Sequence, residues 1–214
     1  ASDPQVKPGR RLVGPNLWPD DLPGFKQTVL EYSNAMDDFA MRCLPVLSES
    51  LGMPADYFTE RFQCSQFSVR LSHYPPAQGG ANQFGIAPHS DANFMTFLPQ
   101  SAVPGLQVRM PGGLWVDVPD VPGSFAVNSG DTLRRWSNRR FKSTAHRALP
   151  PTREHRYAIP FFLGPNVDAV IECLPTCTSA ESPPRWPPIT YEDWMTYWYH
   201  NNYNYEKQPA AARR

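Results

Sequence analysis

A chain of 214 residues with 41% hydrophobic side chains is long enough to bury one substantial core and too apolar for a disordered segment. Twenty Lys and Arg balance twenty Asp and Glu, so no long-range field draws the chain to nucleic acid or to an anionic membrane. No run approaches the roughly 18 apolar residues of a membrane span, and Ala1 to Arg11 lacks the apolar centre of a signal peptide. The expectation is a soluble cytoplasmic protein, monomeric or weakly dimeric, whose partner is a small molecule.

Four cysteines (Cys43, Cys64, Cys173, Cys177) are too few for a disulfide scaffold of this length, and reduced thiols are expected. Cys173 and Cys177 have no second cysteine pair and no suitably spaced histidine beside them, which favours a structural role over zinc. Proline is the outlier: 25 residues, about 12% against a usual ~5%, mixed with 27 aromatic residues. That combination predicts short elements joined by rigid turns.

In chain order, residues 1–22 read as an extended arm, with Gly and Pro and no clear period. Residues 23–66 form a helical segment, because Phe25, Val29, Tyr32, Met36, Phe39, Cys43 and Leu47 recur in steps of three or four. Pro23 suits the first turn, Gly52 the end, and Pro45 removes one internal hydrogen bond. Residues 67–173 switch to brief β-rich runs, expected at Phe67–Tyr74, Phe94–Leu98, Leu106–Arg109, Leu114–Val118, Ser124–Val127, Thr144–Leu149 and Arg156–Leu163. Gly and Pro turns punctuate them, no helices alternate with them, and no phosphate-binding glycine loop is present. The pattern predicts a mainly β domain, an antiparallel sandwich or jelly roll with flanking helices, and excludes a Rossmann fold. Residues 174–214 comprise a proline-rich loop, a last helix announced by the Thr190/Asp193 capping pair, and a tail with the composition of a frayed end. Tyr191, Tyr197 and Tyr199 of that helix are expected to pack on the barrel. The arginines at 134, 135, 139 and 140 with Lys142 read first as a solvated basic turn, and second as a site for an anionic partner.

His89 and Asp91 stand two apart, a spacing that puts both on one face of an extended strand. A lone His-x-Asp pair has poor specificity, but His146 lies in another β-rich run, far enough along for the chain to cross a sandwich and return. Two imidazoles and one carboxylate can occupy one face of an octahedral ion, the arrangement of non-haem Fe(II) oxygen chemistry; the same three ligands suit tetrahedral zinc in a hydrolytic site. Arg156 separates the readings. Strand alternation places Arg156 and Ala158 on one face and Tyr157 on the other. A divalent iron, one carboxylate, a doubly negative dicarboxylate such as 2-oxoglutarate and one guanidinium sum to zero charge in a dry cavity, where uncompensated charge costs several kcal/mol. Ser72 and Tyr74 share a face of an earlier strand and are further hydrogen-bond donors for such a co-substrate. Phe84, Phe161 and Phe162 are candidates for the cavity border or for the core. His73, His155 and His200 are expected to face outward.

Nine segments together resemble the isopenicillin-N-synthase-like branch of the Fe(II)/2-oxoglutarate-dependent dioxygenases. They are Gly14–Pro19 (GPNLWP), Arg70–Pro76 (RLSHYPP), His89-Ser90-Asp91, Gly105–Val108 (GLQV), Trp115–Val118 (WVDV), Val127–Asp131 (VNSGD), Trp136–Asn138 (WSN), Lys142–Arg147 (KSTAHR) and Arg156–Phe162 (RYAIPFF). The resemblance implies a double-stranded β-helix, iron on His89, Asp91 and His146, and 2-oxoglutarate on Arg156 with help from Tyr74 and Ser72. It also implies O2-dependent hydroxylation, desaturation or cyclisation of a small organic substrate, with succinate and CO2 released. Two departures stand out: Ala158 replaces the serine usual two residues after the arginine, and Ser72 replaces the usual asparagine before the tyrosine. They keep two further readings open, an oxidase of the same fold that uses no 2-oxoglutarate and a non-catalytic jelly-roll fragment. Family members carry a further N-terminal segment ahead of the Gly-Pro-Asn stretch, so this chain reads as a truncated start.

Overall fold

The computed structural model describes residues 10, 12–78, 80 and 83–203. Residues 1–9 and 11 of the expected arm and the C-terminal tail lie outside the described residues. Residues 12–19 have no regular structure, and Arg10 ties this stretch down through Asp168 (2.7 Å) and Glu192 (3.0 Å).

The three-and-four periodicity becomes α1 (Phe25–Ser50), which starts just after Pro23 and buries the stripe Ser33, Met36, Ala40, Leu44 and Ser48. The two serines on that stripe return their hydroxyls to the carbonyls of Val29 and Leu44, so no polar group is stranded. Pro45 lies within the helix, and Gly52 ends it in the left-handed region at φ 72°, with its N–H on the Glu49 carbonyl.

Ten strands follow: β1 (Gln66–Val69), β2 (Ser72–Tyr74), β3 (Ile86–His89), β4 (Met95–Pro99), β5 (Leu106–Arg109), β6 (Trp115–Asp117), β7 (Phe125–Ser129), β8 (His146–Ala148), β9 (Arg156–Ala158) and β10 (Phe161–Gly164). They form one four-stranded sheet in the order β1-β10-β4-β7, a second in the order β3-β8-β5-β6, and the two-stranded pair β2-β9. A short outlying pair, β11 (Val170–Ile171) with β12 (Ile189–Thr190), leads into the last helix. Every pairing is antiparallel. This is the jelly-roll arrangement expected from the punctuation of the sequence.

Two of the expected strands are each divided. The run 67–74 breaks at Arg70 and Leu71, and the run 156–163 breaks at Ile159 and Pro160; both halves of each run keep their partners but change sheet. Pro160 has no N–H for a ladder, and its carbonyl instead accepts the Arg70 N–H at 3.1 Å, so the chain turns the corner there. β3 is not among the expected strands, because Gly85 and Pro88 flank or interrupt so short a run. The short helix α2 (Asp131–Trp136) is likewise unexpected, since six residues are too few to show a period.

The last helix, α3 (Tyr191–Tyr203), opens with the expected capping pair: Thr190 Oγ1 donates to Asp193 Oδ2 (2.7 Å) and accepts the Asp193 N–H (3.1 Å). Of the three tyrosines expected to pack on the barrel, Tyr191 is buried; Tyr197 and Tyr199 are exposed, correcting the expectation, because one face of a helix lying on a barrel must meet water. The basic turn is a packing device. The guanidinium carbons of Arg134, Arg135 and Arg139 all lie 5.6–5.7 Å from the Trp186 ring centre and pin the proline-rich loop to α2.

The core is aromatic, with Phe58, Phe62, Phe94 and Trp136 in mutual edge and stacked contact between α1, the sheet and α2. Gly130, at the start of α2, sits so close to Asn93 and Asp91 that a β-carbon would come within 2.8 Å of the Asn93 carbonyl carbon and 3.0 Å of the Asp91 carbonyl oxygen. Gly130→Ala is therefore expected to displace the 91–93 loop and lower stability by about 1–3 kcal/mol, as measured by urea unfolding.

Candidate metal centre

His89 closes β3 and His146 opens β8, and the antiparallel register sets the two residues directly opposite each other. Their rings lie 4.3 Å apart between centroids. Asp91 follows two residues after His89, in the loop before β4 rather than within the strand. Its Oδ1 stands 3.7 Å from His89 Nε2 and 3.6 Å from His146 Nε2. The three donor atoms lie within 4.8 Å of one another, the separation one ion spans.

The backbone fixes which nitrogen faces the centre. The Nδ1 of His89 is 2.8 Å from the Ala87 carbonyl and that of His146 is 3.1 Å from the Thr144 carbonyl, so each Nδ1 carries the proton and each Nε2 offers a lone pair. Burial lowers the His89 pKa, with the neighbouring His146 acting the same way, which keeps a neutral, ligating imidazole. Asp91 is 6% exposed. Its main-chain carbonyl accepts the Asp131 N–H at 2.7 Å, while its Oδ2 accepts hydrogen bonds from Thr96 and Asn128.

Arg156 lies across the same cavity, which His89, Asp91, His146, Tyr74 and Phe162 also line. Its neighbours in β9 alternate as expected: Arg156 and Ala158 are buried and Tyr157 is exposed. The guanidinium carbon sits 5.2 Å from the centre of the Tyr74 ring, and Tyr74 is the register partner of Arg156 in β2. Arg156 is 4% exposed, and its buried Nε meets no hydrogen-bond acceptor in the structure. Burial lowers its pKa, partly opposed by the Tyr74 hydroxyl, yet a guanidinium stays charged at neutral pH. The conceivable structural partner Asp131 is engaged elsewhere, accepting from Arg134 (3.1 Å) and Ser90 (3.1 Å).

A buried cation whose Nε lacks an acceptor, in one cavity with two imidazoles and a carboxylate, matches a divalent ion bound together with a carboxylate-bearing co-substrate. The donor set therefore fits Fe(II), and the orphaned guanidinium nitrogen fits the far carboxylate of 2-oxoglutarate.

Ser72 is the register partner of Ala158 but is not among the residues lining this cavity; it lines a neighbouring groove with Phe84 and Gly85, which Tyr74 also borders. Phe161 is fully buried against Phe67, in the core, while Phe162 borders the cavity. Four polar cavity residues are not singled out by the sequence pattern: Thr96, Asn128, Arg70 and Arg147. Thr96 leaves a faint signal, one polar residue inside the apolar run Phe94–Leu98. His73 and His155 are exposed and share a 2.7 Å contact on the outer surface.

The fold and this site together define a non-haem iron oxygenase scaffold. A family profile described as the 2OG-Fe(II) oxygenase superfamily matches residues 65–165. Over its whole length the chain is 37% identical to the 2-oxoglutarate-Fe(II) type oxidoreductase hxnY of Emericella nidulans, covering 64% of that protein. It superposes on the crystal structure of a 2OG-Fe(II) oxygenase family protein from Caulobacter crescentus with a TM-score of 0.82, at 31% identity over 92% of this chain and 66% of that one. JOX2 in complex with 2OG, Fe and JA matches with a TM-score of 0.77, at 33% identity over 84% of this chain and 54% of that one. The chain belongs to the Fe(II)/2-oxoglutarate-dependent dioxygenase family. It spans about three fifths of the length of the curated relatives it matches.

His146→Ala and Asp91→Ala are each expected to weaken Fe(II) or Co(II) binding more than about a hundredfold, beyond the usual cost of losing an outer-shell partner. Calorimetric titration of the metal-free protein under anaerobic conditions checks this.

Proposed function

We propose that the protein uses Fe(II), O2 and 2-oxoglutarate to oxidise a small organic substrate by hydroxylation, desaturation or cyclisation, releasing succinate and CO2. The observation that carries this reading is the buried Arg156, its Nε without an acceptor, in one cavity with the His89, Asp91 and His146 donors. Among the described residues no helix is long and apolar enough to cross a membrane, and the four cysteines are free, in keeping with a reducing, cytoplasmic setting.

In this reading His89, Asp91 and His146 hold the iron, which when bound supplies the one-electron and O2 chemistry. Arg156 would receive the distal carboxylate of 2-oxoglutarate, its unpartnered Nε being available to donate to it. The Tyr74 ring lies against the guanidinium and limits its swing. Leu98, Leu106, Ala126, Ala148 and Phe162 line part of the cavity with apolar side chains, beside the polar Arg70, Thr96, Asn128 and Arg147, and the apolar part strengthens the charged contacts next to it. Ala158, buried beside the arginine, contributes no hydroxyl to the carboxylate. The site therefore holds its co-substrate with one hydrogen bond fewer than the Arg-x-Ser arrangement, a difference of about 0.5–1.5 kcal/mol.

Succinate formed in step with substrate consumption by the iron-loaded, full-length protein tests the reading. Substrate turnover with no requirement for 2-oxoglutarate would replace it with an oxidase of the same fold. Arg156→Met is expected to raise the half-saturating 2-oxoglutarate concentration roughly a hundredfold or more. The same substitution, by removing an unpaired buried charge, should raise the stability of the ligand-free protein by about 1–4 kcal/mol, visible as a higher Tm. Ala158→Ser is expected to tighten 2-oxoglutarate binding about two- to tenfold.

A further inference from the structure

We propose that Thr96 and Asn128 act as a clamp on Asp91 that restricts its carboxylate to a single contact with the metal and so keeps one coordination position open. The inference rests on the metal-centre reading above and adds to it two positioning residues that act through Asp91.

Thr96 in β4 and Asn128 in β7 are direct register partners, so the two side chains leave the sheet side by side toward the cavity. Thr96 Oγ1 donates to Asp91 Oδ2 at 2.6 Å, and Asn128 Nδ2 donates to the same oxygen at 2.8 Å. The Thr96 hydroxyl is itself aimed. Asn93, 6% exposed, donates its Nδ2 to Thr96 Oγ1 (3.3 Å) and to the Met95 carbonyl (2.7 Å); Thr96 Oγ1 also lies 3.4 Å from Asn93 Oδ1, and its one proton goes to the far shorter contact with Asp91 (2.6 Å). Oδ2 thus receives two charge-assisted hydrogen bonds and faces the sheet, and Oδ1 is the oxygen that stands 3.6–3.7 Å from both imidazole nitrogens.

The coordination arithmetic gives this asymmetry a purpose. An octahedral ion held by two imidazoles and one carboxylate oxygen has three open positions, two for a chelating 2-oxo acid and one for O2. A carboxylate that closed on the metal through both oxygens would take one of the three. In a buried site an Oδ2 stripped of its donors would have a strong reason to do so, because an unpaired anionic oxygen is costly and the cation is the nearest compensation. Each charge-assisted bond is worth roughly tenfold or more in the equilibrium between the two binding modes.

The test uses Co(II) in place of Fe(II), with 2-oxoglutarate as the second probe, in the wild-type chain, Thr96→Val, Asn128→Leu, the double variant and Thr96→Ser. The clamp predicts that Co(II) is retained in all of them, with affinity equal to wild type or tighter. It predicts that 2-oxoglutarate affinity of the Co(II) form falls about tenfold in each single apolar variant and further in the double, and that X-ray absorption shows an added carboxylate oxygen on the metal. Thr96→Ser keeps the hydroxyl and should restore wild-type values. Unchanged 2-oxoglutarate affinity in the apolar variants, or loss of Co(II) binding from them, overturns the clamp. Thr96→Val is nearly isosteric and decides the matter alone if the double variant unfolds. A wild-type chain that binds neither Co(II) nor Fe(II) instead defeats the metal-centre reading, and the clamp falls with it.

Discussion

The structure depends on keeping one carboxylate out of water. Asp91 is almost fully buried, and an isolated buried carboxylate costs several kcal/mol or more unless hydrogen bonds or a cation compensate it. The chain commits its local architecture to that compensation. Groups from α2 and α3 grip the 91–93 loop: Asp131 N–H on the Asp91 carbonyl, Thr132 N–H and hydroxyl on the Ala92 carbonyl, and the Trp194 indole N–H on that same carbonyl. The closeness of Gly130 to this loop follows from the same requirement, since a side chain there would push the loop off its donors.

Three cross-strand pairs then assemble the cavity. His89 faces His146 across β3 and β8, Thr96 faces Asn128 across β4 and β7, and Tyr74 faces Arg156 across β2 and β9. Each pair is a register decision, and a one-residue slip would turn its members to the opposite face. The division of the two long β runs at Arg70–Leu71 and at Ile159–Pro160 is part of the same design. It places Arg156 and Tyr74 on the separate pair β2-β9, while His89 and His146 come from the sheet that contains β3 and β8.

Arg156 complements Asp91 electrostatically. A carboxylate with two hydrogen-bond donors on one oxygen is well satisfied, whereas a guanidinium with a buried, acceptor-less Nε is not. One cavity therefore combines an unmet demand for negative charge with a set of metal donors. Such a combination favours a ligand carrying a far carboxylate and a metal-chelating end, and it disfavours neutral molecules of the same size.

The sequence by itself determined the helix at Phe25–Ser50, the jelly-roll class and the capping of the last helix, because periodicity and turn residues are local properties of the chain, and through its resemblance to a known family it brought forward His89, Asp91, His146 and Arg156 as the candidate site. Only the tertiary structure decided which residues complete the site. It drew Thr96 and Asn128 onto Asp91, left Ser72 in a neighbouring groove, sent Phe161 to the core and Phe162 to the cavity, and used the basic turn to hold Trp186. These outcomes turn on strand register and on where a strand changes sheet, and both are fixed by contacts between residues tens of positions apart that no local pattern records.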